Sequence, residues 1–237
     1  QKSKTLPTAE IINKFTTYNA EMNAAMNKGD FNLANEYIEK MEALCEEYDL
    51  FDQEFTESGL TGLKDITGQV RIPALYKAIG ARYRYDHWRE LPVPVINADD
   101  KYALALADGT GKPLCDFIYD YIAFFPWTDL FTATVGDKGT LLRPDGTPHI
   151  PILIDKVYEP NNGIITIMNE GKYGLCTTSG DYVAPIYDEM EPDEDDNVHV
   201  RLGDTWGYIS GDGEFLPEPL SDEDQDKWWY HFRPDFD

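Results

Sequence analysis

A chain of 237 residues with 42% apolar and 13% aromatic content can bury one large core or two small ones. Its 20 Lys and Arg against 44 Asp and Glu leave a formal charge of -24, which repels nucleic-acid phosphates and anionic membrane surfaces and suits a basic protein or a metal cation. No apolar run approaches the roughly 18 residues of a transmembrane helix, and Cys45, Cys115 and Cys176 form neither a disulfide framework nor a C-x-x-C pair. The chain starts at Gln1, the pattern left by a cleaved signal peptide or a removed tag, and export to the periplasm, envelope or medium is the expectation.

Residues 8–28 read as a helix. Ile11, Phe15, Tyr18, Met22 and Met26 recur every three or four positions and lay one apolar stripe along it. Thr8 is placed to cap its start and Gly29 to end it. Asp30 then caps a second helix over 31–48, with Ala34, Ile38, Met41, Cys45 and Tyr48 as its stripe. The two-residue break Gly29-Asp30 folds the helices into an antiparallel pair. That pair resembles a tetratricopeptide-type hairpin, and a lone copy implies a cap or docking element. Residues 49–56 read as a link.

From residue 57 the helical period gives way to short Val-, Ile-, Thr- and Tyr-rich segments between Gly and Asp turns, the pattern of β-hairpins. One unit recurs five times. Trp206-Gly207-Tyr208 precedes Gly213, Tyr173-Gly174-Leu175 precedes Gly180, Gly139-Thr140-Leu141 precedes Gly146, Tyr102-Ala103-Leu104 precedes Gly111, and Thr61-Gly62-Leu63 precedes Gly68. The turn glycines step by 43, 35, 34 and 33 residues, the mark of a repeat architecture. The glycine after the aromatic either lets backbones approach or takes a positive φ, and Trp206, Tyr173 and Tyr102 are expected to be equivalent, buried positions.

Lys172-Tyr173-Gly174-Leu175, Pro185-Ile186-Tyr187-Asp188 and Trp206-Gly207-Tyr208-Ile209 resemble the bacterial WG-repeat family. The resemblance covers about residues 59–220 and is strongest in the last two copies. It implies tandem β-hairpin modules, usually exported or envelope-associated, with no shared catalytic residue. The expected fold is mainly β with an N-terminal helical hairpin, its repeats forming an open solenoid or curling into a barrel- or propeller-like array. The expected segments are 1–56, helical hairpin and link; 57–220, five repeats; and 221–237, an acidic and aromatic tail.

Two stretches depart from the repeat. Arg82 to Arg89 interleaves bases with aromatics, and Arg82, Arg84, Tyr85, Trp88 and Arg89 are candidate partner contacts, since Arg, Tyr and Trp dominate interface hot spots. Asp188 to Asp196 holds seven acids in nine residues, and Asp193, Glu194, Asp195 and Asp196 suit steering of a basic partner.

Chemical motifs fail on inspection. Asp222, Asp224 and Asp226 begin like a calcium loop, but Lys227 stands where Gly is needed and Arg233 where Glu is needed. Asp108-Gly109-Thr110-Gly111-Lys112 lacks P-loop spacing, and Pro113 follows the lysine. His87, His149, His199 and His231 share no metal spacing, and no serine lies in a G-x-S-x-G elbow. Cys176 with His199 is drawable as a thiol and base, but a strand-borne Cys is more often core. No cofactor and no catalytic residue is expected. A non-catalytic binding or scaffolding protein is the favoured function, an acidic inhibitor or immunity-type protein the second, and a hydrolase the third.

Overall fold

The computed structural model describes residues 9–48, 50, 52–66, 68–81, 91–161, 163–192 and 198–220. It is mainly β, with five small antiparallel sheets and two N-terminal helices, and it divides into two compact units, residues 1–117 and 118–237.

The first unit opens with helices α1 (Ala9–Asn27) and α2 (Phe31–Tyr48). Gly29 at φ 72° ends α1. Its N–H donates to the Met26 carbonyl and that of Asp30 to the Ala25 carbonyl, both at 3.0 Å, the paired bonds of a Schellman stop. Asp30 then caps α2 by accepting the Leu33 N–H at 3.1 Å. Phe15, Met22 and Ala25 of α1 meet Ala34, Met41, Leu44 and Cys45 of α2, and Leu50 and Ile66 complete this core. Ala25 replaces Met26, which is 47% exposed, because the stripe follows the 3.6-residue turn.

The same unit holds sheet 1, with β1 (Gln53–Glu57), β2 (Leu60–Lys64) and β3 (Val70–Tyr76), and sheet 2, with β4 (Ala78–Ile79), β5 (Val93–Ile96) and β6 (Tyr102–Ala105). The link expected over 49–56 is shorter than read. β1 begins at Gln53 because Phe55 faces Gly62 across the ladder to β2. The second unit holds sheet 3, with β7 (Tyr121–Phe124), β8 (Phe131–Val135) and β9 (Lys138–Leu142). Sheet 4 follows with β10 (Lys156–Val157), β11 (Ile164–Asn169), β12 (Lys172–Thr177) and β13 (Tyr182–Tyr187). Sheet 5 has β14 (Glu189–Pro192), β15 (Val198–Leu202), β16 (Thr205–Ile209) and β17 (Phe215–Pro217). Each of the five sequence copies lands on one sheet. The turn glycines 68, 111, 146, 180 and 213 all have positive φ. In four copies the turn closes alike. The Gly N–H donates three residues back, to Asp65, Arg143, Thr177 or Ser210, the form of a three-residue hairpin loop with a left-handed last residue.

The other repeated glycine serves close approach, not positive φ. A Cβ on Gly62 would lie 2.6 Å from the Ile72 carbonyl oxygen, one on Gly174 2.5 Å from that of Val183, and one on Gly207 2.3 Å from that of Leu216. In each case the intruding backbone belongs to the following strand, β3, β13 or β17. Where the glycine is replaced, by Ala103 and Thr140, the regular strand is lost, and the isolated bridges Ala105–Pro113, Gly139–Ile154 and Leu142–Pro148 stand in its place. Pro185 lies on β13, an edge strand, where it removes no ladder bond on the open side.

The expectation that the repeat aromatics are buried is corrected. Trp206, Tyr173 and Tyr102 are only half-buried, while Gly207, Gly174 and Ala103 are buried. Strand alternation explains it: the glycine faces the core, so its neighbour faces the other side. The Trp206 indole instead stacks on His199 with centroids 4.7 Å apart. Trp206→Ala is therefore expected to cost about 1–2 kcal/mol, below the roughly 3–5 of a core aromatic. Urea titration of the variant checks this.

In the second unit the aspartates closing one copy fasten the next sheet. Asp120 accepts the Gly136 N–H at 2.7 Å, Asp155 the Glu170 N–H at 2.6 Å and Asp188 the Gly203 N–H at 2.8 Å. Lys138 pairs with Asp155, and Lys172 with Asp188. The Lys138 and Lys172 ammonium groups, then these N–H donors, hold both carboxyls below the ordinary 3.8. A folded pKa below the unfolded one stabilises the fold above the unfolded pKa, and that gain disappears as pH falls through the folded value. The melting temperature should fall on acidification below about pH 4, and less steeply in Asp155→Asn and Asp188→Asn. Equal slopes in all three proteins would refute the assignment.

Candidate functional site

The residues nominated from the sequence fall largely outside the described structure. Arg82, Arg84, Tyr85, Trp88 and Arg89 lie there, as do Asp193, Glu194, Asp195 and Asp196, and the tail 221–237. Their place in the chain is still informative. The first group belongs to the connection between β4 and β5, and the second to that between β14 and β15. Each is the connection from the first to the second strand of its sheet.

The same connection in sheet 3 is fully described and carries a residue that sequence reading missed. Trp127 is 91% exposed and adopts φ 64°, a region that bulky side chains rarely enter. Its flanks are fixed. The Phe125 N–H donates to the Leu130 carbonyl at 2.9 Å. The Thr128 hydroxyl donates to the Phe125 carbonyl at 2.8 Å and accepts the Leu130 N–H at 2.9 Å. Phe125, Thr128 and Leu130 are all buried, with Phe125 and Leu130 in the core shared by sheets 3 and 4. A rigid hairpin tip thus holds one indole in solvent. Pro126-Trp127 between two strands was the available signal, but nothing in the sequence separates an outward Trp from a core one.

In the first unit a cleft of about 460 Å³ lies between α1 and the turns of sheets 1 and 2. Phe15, Ile66, Leu106 and Ala107 supply its apolar lining, and Asp52, Asp65 and Asp108 its acids. Its one base, Arg71, is engaged. Nη1 donates to the Asp52 carboxylate and Nε to the Ala107 carbonyl at 3.3 Å, while the Arg71 carbonyl accepts the Gly109 N–H at 2.7 Å. Arg71 therefore ties sheet 1 to the turn of sheet 2 and to the chain entering β1. The Asp108 carboxyl is held low by the Thr110 hydroxyl and N–H, which fixes that turn.

Neither Cys176 nor Cys115 is an activated thiol. Cys176 is fully buried with Ile165 and Ile167, and burial pushes its thiol up to about 12. Burial also raises Cys115. His199 is not placed as a base for Cys176. It packs against the Trp206 and Tyr208 rings, with Nε2 3.4 Å from a Glu218 carboxylate oxygen but without hydrogen-bond alignment. His149 is buried, and its Nε2 donates to the Thr177 carbonyl at 2.8 Å. Ser210 spends its hydroxyl accepting the Glu214 N–H at 3.0 Å. The acidic stretch divides in two. Asp188 and Glu189 at its start are committed to Lys172 and Arg201, while the described structure stops short of 193–196.

No protein family matches this chain, and no curated protein matches its sequence. Solved structures offer distant likenesses. Hsv2 of Kluyveromyces marxianus aligns at 10% identity and TM-score 0.32 over 71% of this chain and 58% of its own. Hsv2 of Kluyveromyces lactis with its complete loop 6CD aligns at 11% identity and TM-score 0.30, over 71% and 59%. A protein from work on the de novo evolutionary emergence of a symmetrical protein aligns at 8% identity and TM-score 0.26, over 66% and 84%. This chain thus spans under two thirds of either Hsv2 chain. TM-scores this low assign it neither an architecture nor an activity. Among the described residues no helix is long and apolar enough to cross a membrane.

Proposed function

We propose that this protein is a non-catalytic binding or scaffolding protein built on WG-type repeats, and that it engages a basic protein partner. The observation that carries the reading is Trp127, a nearly fully exposed indole on a tip whose flanking residues are locked. An aromatic held rigid loses little entropy on docking and so makes an efficient anchor. The left-handed backbone beneath it is a strain of the kind that clusters at functional sites. The charge of -24 supplies the preference for a basic partner, through faster and salt-sensitive encounter. The same charge favours a second reading, an acidic inhibitor or immunity-type protein that neutralises a cationic enzyme or toxin.

The test begins with capture from the source organism at about 50 mM and about 500 mM salt, followed by surface plasmon resonance with the purified partner. Trp127→Ala should speed dissociation about tenfold or more with unchanged folding, and binding should weaken with salt. If the captured protein is an enzyme that loses activity in the complex, the inhibitor reading prevails. A salt-insensitive partner indifferent to Trp127→Ala would defeat both readings.

A further inference from the structure

One residue of the repeat fills no core. In four copies the position that closes the unit is buried, as Tyr76, Tyr119, Ile154 and Tyr187. Tyr76 lies opposite Thr61, Ile154 opposite Gly139 and Tyr187 opposite Tyr173, so these are equivalent places in their sheets. The residue just before each turns outward, because neighbours along an extended chain point to opposite sides. That residue is Leu75, Ile118, Leu153 or Ile186, and each is between 44% and 53% exposed. Single apolar side chains scattered over a surface are ordinary. A branched aliphatic returned to one outward position in four copies is not scatter, least of all in a chain with 27% charged residues.

Three of the four lie in the second unit, at successive crossovers between sheets. Ile118 precedes β7, Leu153 precedes β10, and Ile186 precedes β14. Sheets 3 and 4 share one core, and sheets 4 and 5 another. Sheets packed face to face stand about 10 Å apart, so equivalent positions on them form a row with that spacing. An extended segment returns to the same side every ~6.7 Å and falls out of step with such a row. A helix rises 1.5 Å per residue and returns to the same side after seven residues, or about 10.5 Å. Apolar residues at positions i, i+7 and i+14 of a helix therefore match it.

We infer that the row Ile118, Leu153 and Ile186 is the docking face for a basic amphipathic helix of a partner protein. The helix lays its apolar stripe along the row, and charge selects what flanks the stripe. Residues 118–220 hold 19 acids and five bases. Three of those bases are engaged beside the row, Lys138 with Asp155, Lys172 with Asp188 and Arg201 with Glu189. The field around the row is acidic, and it favours Lys and Arg on the incoming helix.

The inference rests on the basic-partner reading above, and its test separates the two. The full-length protein is titrated in a calorimeter with an acetylated and amidated peptide of three tandem Leu-Ala-Gln-Lys-Lys-Ala-Gln units, which repeats its leucine every seven residues. Ile118→Ser, Leu153→Ser and Ile186→Ser should each weaken binding about fivefold. Leu202→Ser, at an exposed leucine off the row, and Trp127→Ala should leave it unaltered. The analogue with glutamate in place of lysine should not bind. A peptide of the same composition with its leucines five residues apart should bind at least about tenfold more weakly, and equal affinity would overturn the row. The replaced side chains are exposed, so the serine variants should melt within about 2 °C of the parent. If one melts lower, methyl NMR of the parent protein decides. The peptide must shift the Ile118, Leu153 and Ile186 methyls, and shifts confined to other methyls overturn the inference. Binding lost with Trp127→Ala and kept in the serine variants also overturns it, while the basic-partner reading stands. No binding at about 1 mM peptide overturns the docked helix, and capture of the natural partner still decides the wider reading. A parent protein that is dimeric alone, and monomeric when all three are serine, gives the row to a second copy and overturns the inference as well.

Discussion

Gly207→Ala is expected to disrupt sheet 5, lowering stability by about 3 kcal/mol or more. The added Cβ would meet the Leu216 carbonyl oxygen at 2.3 Å, the Leu216 carbonyl carbon at 2.9 Å and the Phe215 ring at 2.7 Å. Two of these atoms are backbone of β17, which cannot rotate away as a side chain tip can. The strand must move out or the ladder must break. Gly139→Ala is the control. It occupies a β strand too, but its Cβ would find nothing nearer than the Ala133 carbonyl oxygen at 3.7 Å. That substitution should change stability by less than about 0.5 kcal/mol. Thermal melts of the two variants decide the matter, and equal melting temperatures would mean that the glycine serves no close approach.

Tyr187→Ala is the second large effect. The side chain is 2% exposed and packs in one core with Leu175, Val200 and Ile209, its ring 6.0 Å from that of Phe215. Burial also raises its phenol pKa, as expected for a hydroxyl with little access to water. Truncation leaves a cavity between sheets 4 and 5 and should cost about 3–5 kcal/mol. Tyr187→Phe keeps the ring and should stay within about 1 kcal/mol of wild type. A denaturant midpoint for Tyr187→Ala close to that of Tyr187→Phe would show that the ring is not the packing element.

Much of the architecture is written in local chemistry. Gly29 and Asp30 specify the break between α1 and α2 because a left-handed stop and a carboxylate cap are both short-range devices. The five turn glycines are legible for the same reason, since positive φ is a demand made by a single residue. What the sequence hides is long-range. Trp206 and Ile209 are both apolar, and only the sheet shows that Ile209 lies in the core and Trp206 against His199. The loss of the last strand in sheets 2 and 3 is visible as Ala103 and Thr140 only once the close approach at Gly62, Gly174 and Gly207 is known. Asp188 reads as the start of an acid run, although its partners are Lys172, sixteen residues before it, and the Gly203 N–H, fifteen after. Trp127 escaped notice because exposure is a property of the fold around a residue, not of the residue.

The aspartate joints put the period of the gene out of step with the period of the fold. Asp155 and Asp188 each end one sequence copy, yet each holds a lysine of that copy and a backbone N–H of the next. A chain severed just before Asp188 leaves Lys172 without its counter-ion, and one severed just after it leaves the Gly203 N–H without its acceptor. No single cut in that neighbourhood yields two intact pieces. Copies joined in this overlapping way are poor candidates for shuffling one at a time, and a shortened version should fold best when its ends are chosen by sheet and its orphaned aspartate or N–H is repaired by design.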